Sequence, residues 1–178
     1  MKKNFTSETL KKMKYELDNT TEKERGFVLC KRHDGLITYG KSHIGNIGEV
    51  KNGAFFQKVR VRNKCDKNED FIGDYHTHTN KSDASIADLT SAFVYDVLRC
   101  VGSKPDNINC FRRKAETRDM SEEENVEHEY KEVLSKIRKI NTMYKSNKIS
   151  KEDANKLKHK LINAATSKLR AKFNIFKL

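Results

Sequence analysis

The sequence predicts an α+β fold, with a sheet assembled in the first two thirds of the chain and an αα-hairpin at its end. Three observations predict it: short apolar runs with strand character, set off by Gly and Asp-Gly, lie between residues 26 and 75; one stretch of helical period follows at 84–101; and two capped amphipathic stretches occupy 121–176. A chain of 178 residues suits one compact domain with an appendage. The expected division is a domain at 1–118 and a basic helical hairpin at 119–178.

The elements follow in order. Leu10, Met13 and Leu17 recur at helical spacing behind a Thr/Ser cap, which predicts an opening helix over Ser7–Leu17. Gly26–Cys30 and Leu36–Gly40 flank His33-Asp34-Gly35 and read as a β-hairpin. Ala54–Val61 reads as a strand behind a loop marked by Gly45, Gly48 and Gly53, and Phe71–Tyr75 as a strand running straight into two histidines. Ile86, Leu89, Phe93, Val97 and Val101 predict a helix over Ala84–Val101, and Asn107–Phe111 the last strand. Ser121-Glu122-Glu123-Glu124 is a capping box for a helix lined by Val126, Tyr130, Val133, Ile137 and Ile140. Ser150-Lys151-Glu152-Asp153 caps a second, lined by Leu157, Leu161, Ala165, Leu169, Phe173 and Phe176, the two phenylalanines expected as closing contacts of the hairpin.

Charged residues make up 35% of the chain, with no Trp and a single Pro, so much of the length is expected as solvated helix. Of the net charge of +12, a surplus of eight falls between Asn141 and Leu178, where ten Lys/Arg face only Glu152 and Asp153. Such a tail suits nucleic acid or an acidic protein face, although a solvated lysine-rich helix has the same composition. No secretory leader and no run of about 18 apolar residues is present, so neither export nor a membrane partner is expected. Cys30, Cys65, Cys100 and Cys110 are widely spaced without a CxxC pair and are expected as free thiols of a cytoplasmic protein.

The chemistry concentrates in Gly73-Asp74-Tyr75-His76-Thr77-His78-Thr79-Asn80-Lys81-Ser82-Asp83-Ala84-Ser85-Ile86-Ala87-Asp88. On an extended segment His76 and His78 point the same way and reach one ion. Asp88, a turn into the following helix, supplies a hard third ligand, and three ligands leave a fourth tetrahedral position for water, the signature of a catalytic zinc site. A water bound there needs a base: Glu24 is the best candidate and Glu22 the fallback. Ser85, one turn before Asp88, is placed to cap the helix or to support an oxyanion.

Glu24 through Leu29, His76-Thr77-His78, Ser85-Ile86-Ala87-Asp88 and Cys100-Val101-Gly102 before the Asn107–Phe111 strand together resemble the JAB/MPN metalloenzyme (JAMM, MPN+) family, over about Leu10 to Arg113. The resemblance implies a cytidine-deaminase-like curved sheet flanked by helices. It also implies Zn2+ held by His76, His78 and Asp88, Glu24 as acid/base, Ser85 supporting the intermediate, and hydrolysis of peptide or isopeptide bonds in a protein substrate, typically at the C-terminus of a ubiquitin-like protein. Thr79 stands where the family usually has proline, and Glu24-Arg25-Gly26 is one residue tighter than its common eukaryotic spacing. Between Asp88 and Cys110 there is no room for the insertions that cradle ubiquitin in dedicated deubiquitinases. Two alternatives stand beside this one. The same scaffold is a binding module if the basic tail docks nucleic acid or an acidic protein. Asp74–Asp83 also resembles the first motif of the polymerase and histidinol phosphatase (PHP) phosphoesterases, whose large barrel needs further ligands; only His128 and His159 follow, and the length falls short of such a barrel.

Overall fold

A computed structural model of the chain describes residues 2–40, 42–44, 65–79 and 83–178. Its order is α1 (Ser7–Asp18), β1 (Arg25–Arg32), β2 (Ile37–Tyr39), β3 (His43–Ile44), β4 (Glu69–Thr77), α2 (Ile86–Val94), β5 (Leu98–Ser103), β6 (Asn107–Arg113), α3 (Met120–Lys145), α4 (Lys151–Arg170) and β7 (Phe173–Lys177). The α+β class is as expected. The strand expected at 54–61 lies outside the described residues.

The strands form one open mixed sheet in the order β2-β1-β4-β5-β6-β7, with the short β3 also paired to β1. The β1/β2 hairpin sets Leu29 opposite Tyr39 and Lys31 opposite Ile37; its turn is made by Gly35, whose φ of 85° is a conformation that costs other residues more. β4 and β5 run parallel with α2 as their crossover. They approach so closely at Gly73 that a Cβ there would lie 1.7 Å from the Leu98 carbonyl oxygen.

Alternation along the strands divides the core. One face, with Phe27, Leu29, Tyr75, Leu98, Cys100, Ile108 and Cys110, packs against Met13 and Leu17 of α1. The other, with Val101, Phe111 and Phe173, packs against Leu89, Ala92 and Phe93 of α2, Val126 of α3 and Leu169 of α4. Helices therefore cover both faces. On β4, Tyr75 points to α1, and Asp74 and His76 point to α2.

Three local expectations change. The helix predicted to reach Val101 ends at Val94; Asp96 turns the chain with a φ of 44°, and Leu98–Ser103 is a strand. Every residue of β5 is buried, so the run lacks a period of two, and Val97 and Val101 mimic a helical spacing. Phe173 and Phe176 lie on β7, antiparallel to β6, and not on the hairpin's second helix. Phe173 still belongs to the same core cluster as Leu169 and Val126, whereas Phe176 joins the α1 side. The cysteines are paired, Cys30 with Cys65 and Cys100 with Cys110, instead of free. Register explains the second pair: Cys100 and Cys110 are direct neighbours across β5 and β6. No helix among the described residues is long and apolar enough to cross a membrane.

Candidate metal centre

The site lies at the carboxyl end of β4, where the parallel neighbour β5 and the start of α2 meet. Period two places Asp74, His76 and His78 on the face turned toward α2, and a capping box fixes the start of that helix. Ser85 is the N-cap: its hydroxyl accepts the Asp88 N–H at 3.2 Å, and Asp88 Oδ2 accepts both the Ser85 N–H at 2.8 Å and the Ser85 hydroxyl at 2.6 Å. The cap thus aims the Asp88 carboxylate back at the histidines. Asp88 Oδ1 lies 3.3 Å from His76 Nε2 and Oδ2 lies 3.3 Å from His78 Nε2. One ligand atom from each of the three buried residues falls within 4.8 Å of the other two.

This donor set fits a metal. A tetrahedral ion with bonds of about 2.0 Å separates its ligand atoms by about 3.3 Å; the same separation is found between His76 and one Asp88 oxygen and between His78 and the other. It exceeds the usual N–H···O distance of about 2.9 Å. Two imidazole nitrogens and a carboxylate oxygen suit zinc and other divalent first-row ions alike.

β1 brings Glu24 to the same place. Gly26 is the register partner of His76, so continuing that antiparallel register sets Glu24 beside His78 on the site's face of the sheet. Thr77, pointing the other way between the two histidines, fastens this corner: its hydroxyl accepts the Arg25 N–H at 3.0 Å and shares a 2.6 Å hydrogen bond with Thr20. Glu16 of α1 holds the Arg25 guanidinium. Glu24 is half-buried, and its Oε2 lies buried without a hydrogen-bond partner among the described residues. Burial pushes its carboxyl above the ordinary value; His76 and His78 pull it down and Asp88 pushes it further up, so the group feels all three ligands. Glu22 is exposed on the turn before β1.

The charges at the centre are strongly coupled. Burial works against the Asp88 carboxylate, but His76, His78 and Arg99 together outweigh it and hold the group well below its usual range. Burial likewise opposes a charged His76, yet Asp88 and Asp74 lift the ring to about 9.

Two residues here escaped the sequence reading. Asp74 Oδ2 lies 3.2 Å from His76 Nδ1, and Arg99 of β5 donates to Asp74 from Nε at 3.1 Å and Nη2 at 3.0 Å. Their signals were present: Asp74 continues the alternation of the histidines by one step, and Arg99 is a lone charge inside the apolar run Val97–Val101. The helix assigned to that run hid the second. His128 and His159, the remaining histidines downstream, are exposed on α3 and α4, and His76, His78 and Asp88 make the one group of potential ligands found among the described residues. Among the described residues the strands form an open sheet. No family model matches the chain, and no curated protein matches it in sequence.

Proposed function

We propose that the protein is a zinc-dependent hydrolase of the JAMM type, cleaving peptide or isopeptide bonds with the C-terminal tails of ubiquitin-like proteins as its substrate class. The observation that carries this reading is the juxtaposition of three buried candidate ligands, with donor atoms within 4.8 Å of one another, and a half-buried carboxylate just ahead of β1, one of whose oxygens lacks a hydrogen-bond partner among the described residues. Structural metal sites fill all four positions with protein ligands, whereas three ligands and a neighbouring base suit hydrolysis.

When bound, zinc would supply a Lewis acid for the scissile carbonyl and lower the pKa of the attacking water. The chain supplies the rest. His76, His78 and Asp88 hold the ion, and Glu24, its carboxyl already biased toward proton uptake by burial, accepts the water's proton and returns it to the departing amine. Ser85 donates its hydroxyl to Asp88 in the resting arrangement; to support an oxyanion it turns from that carboxylate to the substrate. Metal content of the purified protein, wild type against His78→Ala, tests the centre, and cleavage of a ubiquitin-like fusion with and without chelator tests the reaction. Near-stoichiometric zinc that is lost in the variant, with chelator-sensitive cleavage, is expected; wild-type protein without zinc affinity rules the reading out.

A second, compatible reading gives the helical hairpin a binding role. Between Lys136 and Lys160 nine Lys/Arg face only Glu152 and Asp153, and of those cations Lys136 alone has a carboxylate within ion-pair distance among the described residues. Unpaired charge of this density suits a nucleic-acid phosphate backbone. Lys156, Lys158 and Lys160 changed together to Glu should abolish duplex binding that weakens steeply with salt; binding that survives the change, or an absence of binding at low salt, rejects this role.

A further inference from the structure

Arg99 is 3% exposed, and its guanidinium reaches both elements that carry the metal ligands. Toward β4, Nε and Nη2 both donate to Asp74. Toward α2, Nη1 donates to the Asp88 carbonyl oxygen at 3.0 Å and to the Ser91 hydroxyl, and lies 3.7 Å from Asp88 Oδ1. Asp74, 1% exposed, stands between this guanidinium and the His76 ring.

The shape of the contact matters. Arg–carboxylate pairs are frequently bidentate, with parallel N–H···O bonds to both carboxylate oxygens. Here both guanidinium donors converge on Oδ1, leaving Oδ2 for His76 Nδ1. A ring donating its Nδ1 proton to Oδ2 is fixed in the tautomer whose Nε2 lone pair faces Asp88 and the ion position. Buried ion pairs of this kind are poor stabilisers, because apolar residues of similar volume often serve as well or better.

Building on the hydrolase reading above, we propose that Asp74 and Arg99 are positioning residues of the metal centre: Asp74 sets the tautomer and rotation of His76, and Arg99 sets Asp74 while tying the backbone at Asp88 to the same point. One cation thereby fixes ligands from a strand and a helix relative to each other.

The test is zinc affinity of the full chain, measured by competition with a chromophoric chelator, with zinc alone as the probe. Asp74→Asn should weaken zinc about 10- to 100-fold, the usual effect of removing such an outer carboxylate, and should change the visible spectrum of the cobalt-substituted protein. Because that variant strands the Arg99 charge, Asp74→Asn/Arg99→Gln provides a neutral pair expected to fold and to show the same loss. Independently of any variant, nitrogen-resolved NMR of the zinc-loaded wild type should show His76 protonated at Nδ1 and ligating through Nε2. A wild type that binds no zinc sinks the metal-centre reading itself. A wild type that binds zinc, with folded variants within twofold of its affinity and an unchanged cobalt spectrum, overturns the positioning role alone, as does a His76 ring protonated at Nε2.

Discussion

Replacing Glu24 by Gln should move activity and stability in opposite directions. The carboxylate is raised by burial, and one of its oxygens is buried without a hydrogen-bond partner. A carboxyl whose folded pKa lies above its unfolded value stabilises the fold only at low pH, and that contribution disappears as pH rises through the folded value. At pH 7 ionised Glu24 is therefore a cost. An unsatisfied buried acceptor is worth about 1–3 kcal/mol; the lower end suits a half-buried group, and about 1 kcal/mol corresponds to about 2–4 °C in a domain of this size. Glu24→Gln should melt that much higher at pH 7 in chelator-treated protein, with the difference vanishing toward pH 4. Loss of the general base should meanwhile reduce turnover about 10²- to 10⁴-fold, with zinc stoichiometry unchanged. The assays are thermal melts at both pH values, metal analysis, and cleavage of a ubiquitin-like fusion. Full cleavage by zinc-loaded Glu24→Gln refutes the assignment of the base, and a lower melting temperature at pH 7 refutes the argument from burial.

Chelator-treated protein should lose stability as pH rises from about 6.5 to about 9, because His76 carries a folded pKa of about 9 against 6.5 unfolded; melts across that range check it, and a flat profile contradicts the coupling of His76 to Asp88 and Asp74. Gly73→Ala should cost about 4 kcal/mol or more, or prevent folding, because its Cβ would sit 1.7 Å from a backbone oxygen; denaturant titration of soluble protein decides. Ser85→Ala should cost about 1 kcal/mol for the lost cap, and activity lost in a cap-retaining Ser85→Asn variant, which lacks the hydroxyl, measures a role at the oxyanion. Reduction should cost about 3 kcal/mol for the Cys100–Cys110 bridge and about 4 kcal/mol for Cys30–Cys65, whose sequence separations are 10 and 35; free thiols on mass analysis of unreduced protein would exclude both bridges.

The sequence made the His76, His78 and Asp88 cluster legible because it depends on local geometry. His76 and His78 share a face by strand alternation, and Asp88 is bound to Ser85 by a capping box written in adjacent residues. Glu24 was legible only as a candidate beside Glu22; what separates the two is the register of β1 against β4, a pairing across some fifty residues. The same holds for the failures. Nothing near Val97–Val101 says that the run is covered on both faces, nothing near Phe173 says that β6 has an open edge, and the cysteine pairs exist only because register brings distant strands together. Asp74 and Arg99 fall between: their residue types were anomalous for their runs, but their partnership needs β4 and β5 side by side.

The C-terminal segment also bears on how the centre is held. β7 extends the sheet beyond β6, and Leu169 and Phe173 pack with Phe93 of α2 in one cluster. Arg170, at the end of α4, pairs with Asp83, whose Oδ1 accepts the Ala84 N–H at 2.9 Å and an Asn109 amide hydrogen at 3.2 Å, just ahead of the Ser85 cap. The basic hairpin therefore cannot be removed to test its charge without also opening the sheet and freeing the start of the helix that carries Asp88. Charge reversal on Lys156, Lys158 and Lys160, exposed or half-exposed and remote in sequence from these contacts, separates the two roles. If it lowers salt-dependent binding while zinc affinity holds, the hairpin's tip is a surface for partners and its base is part of the metal centre's frame.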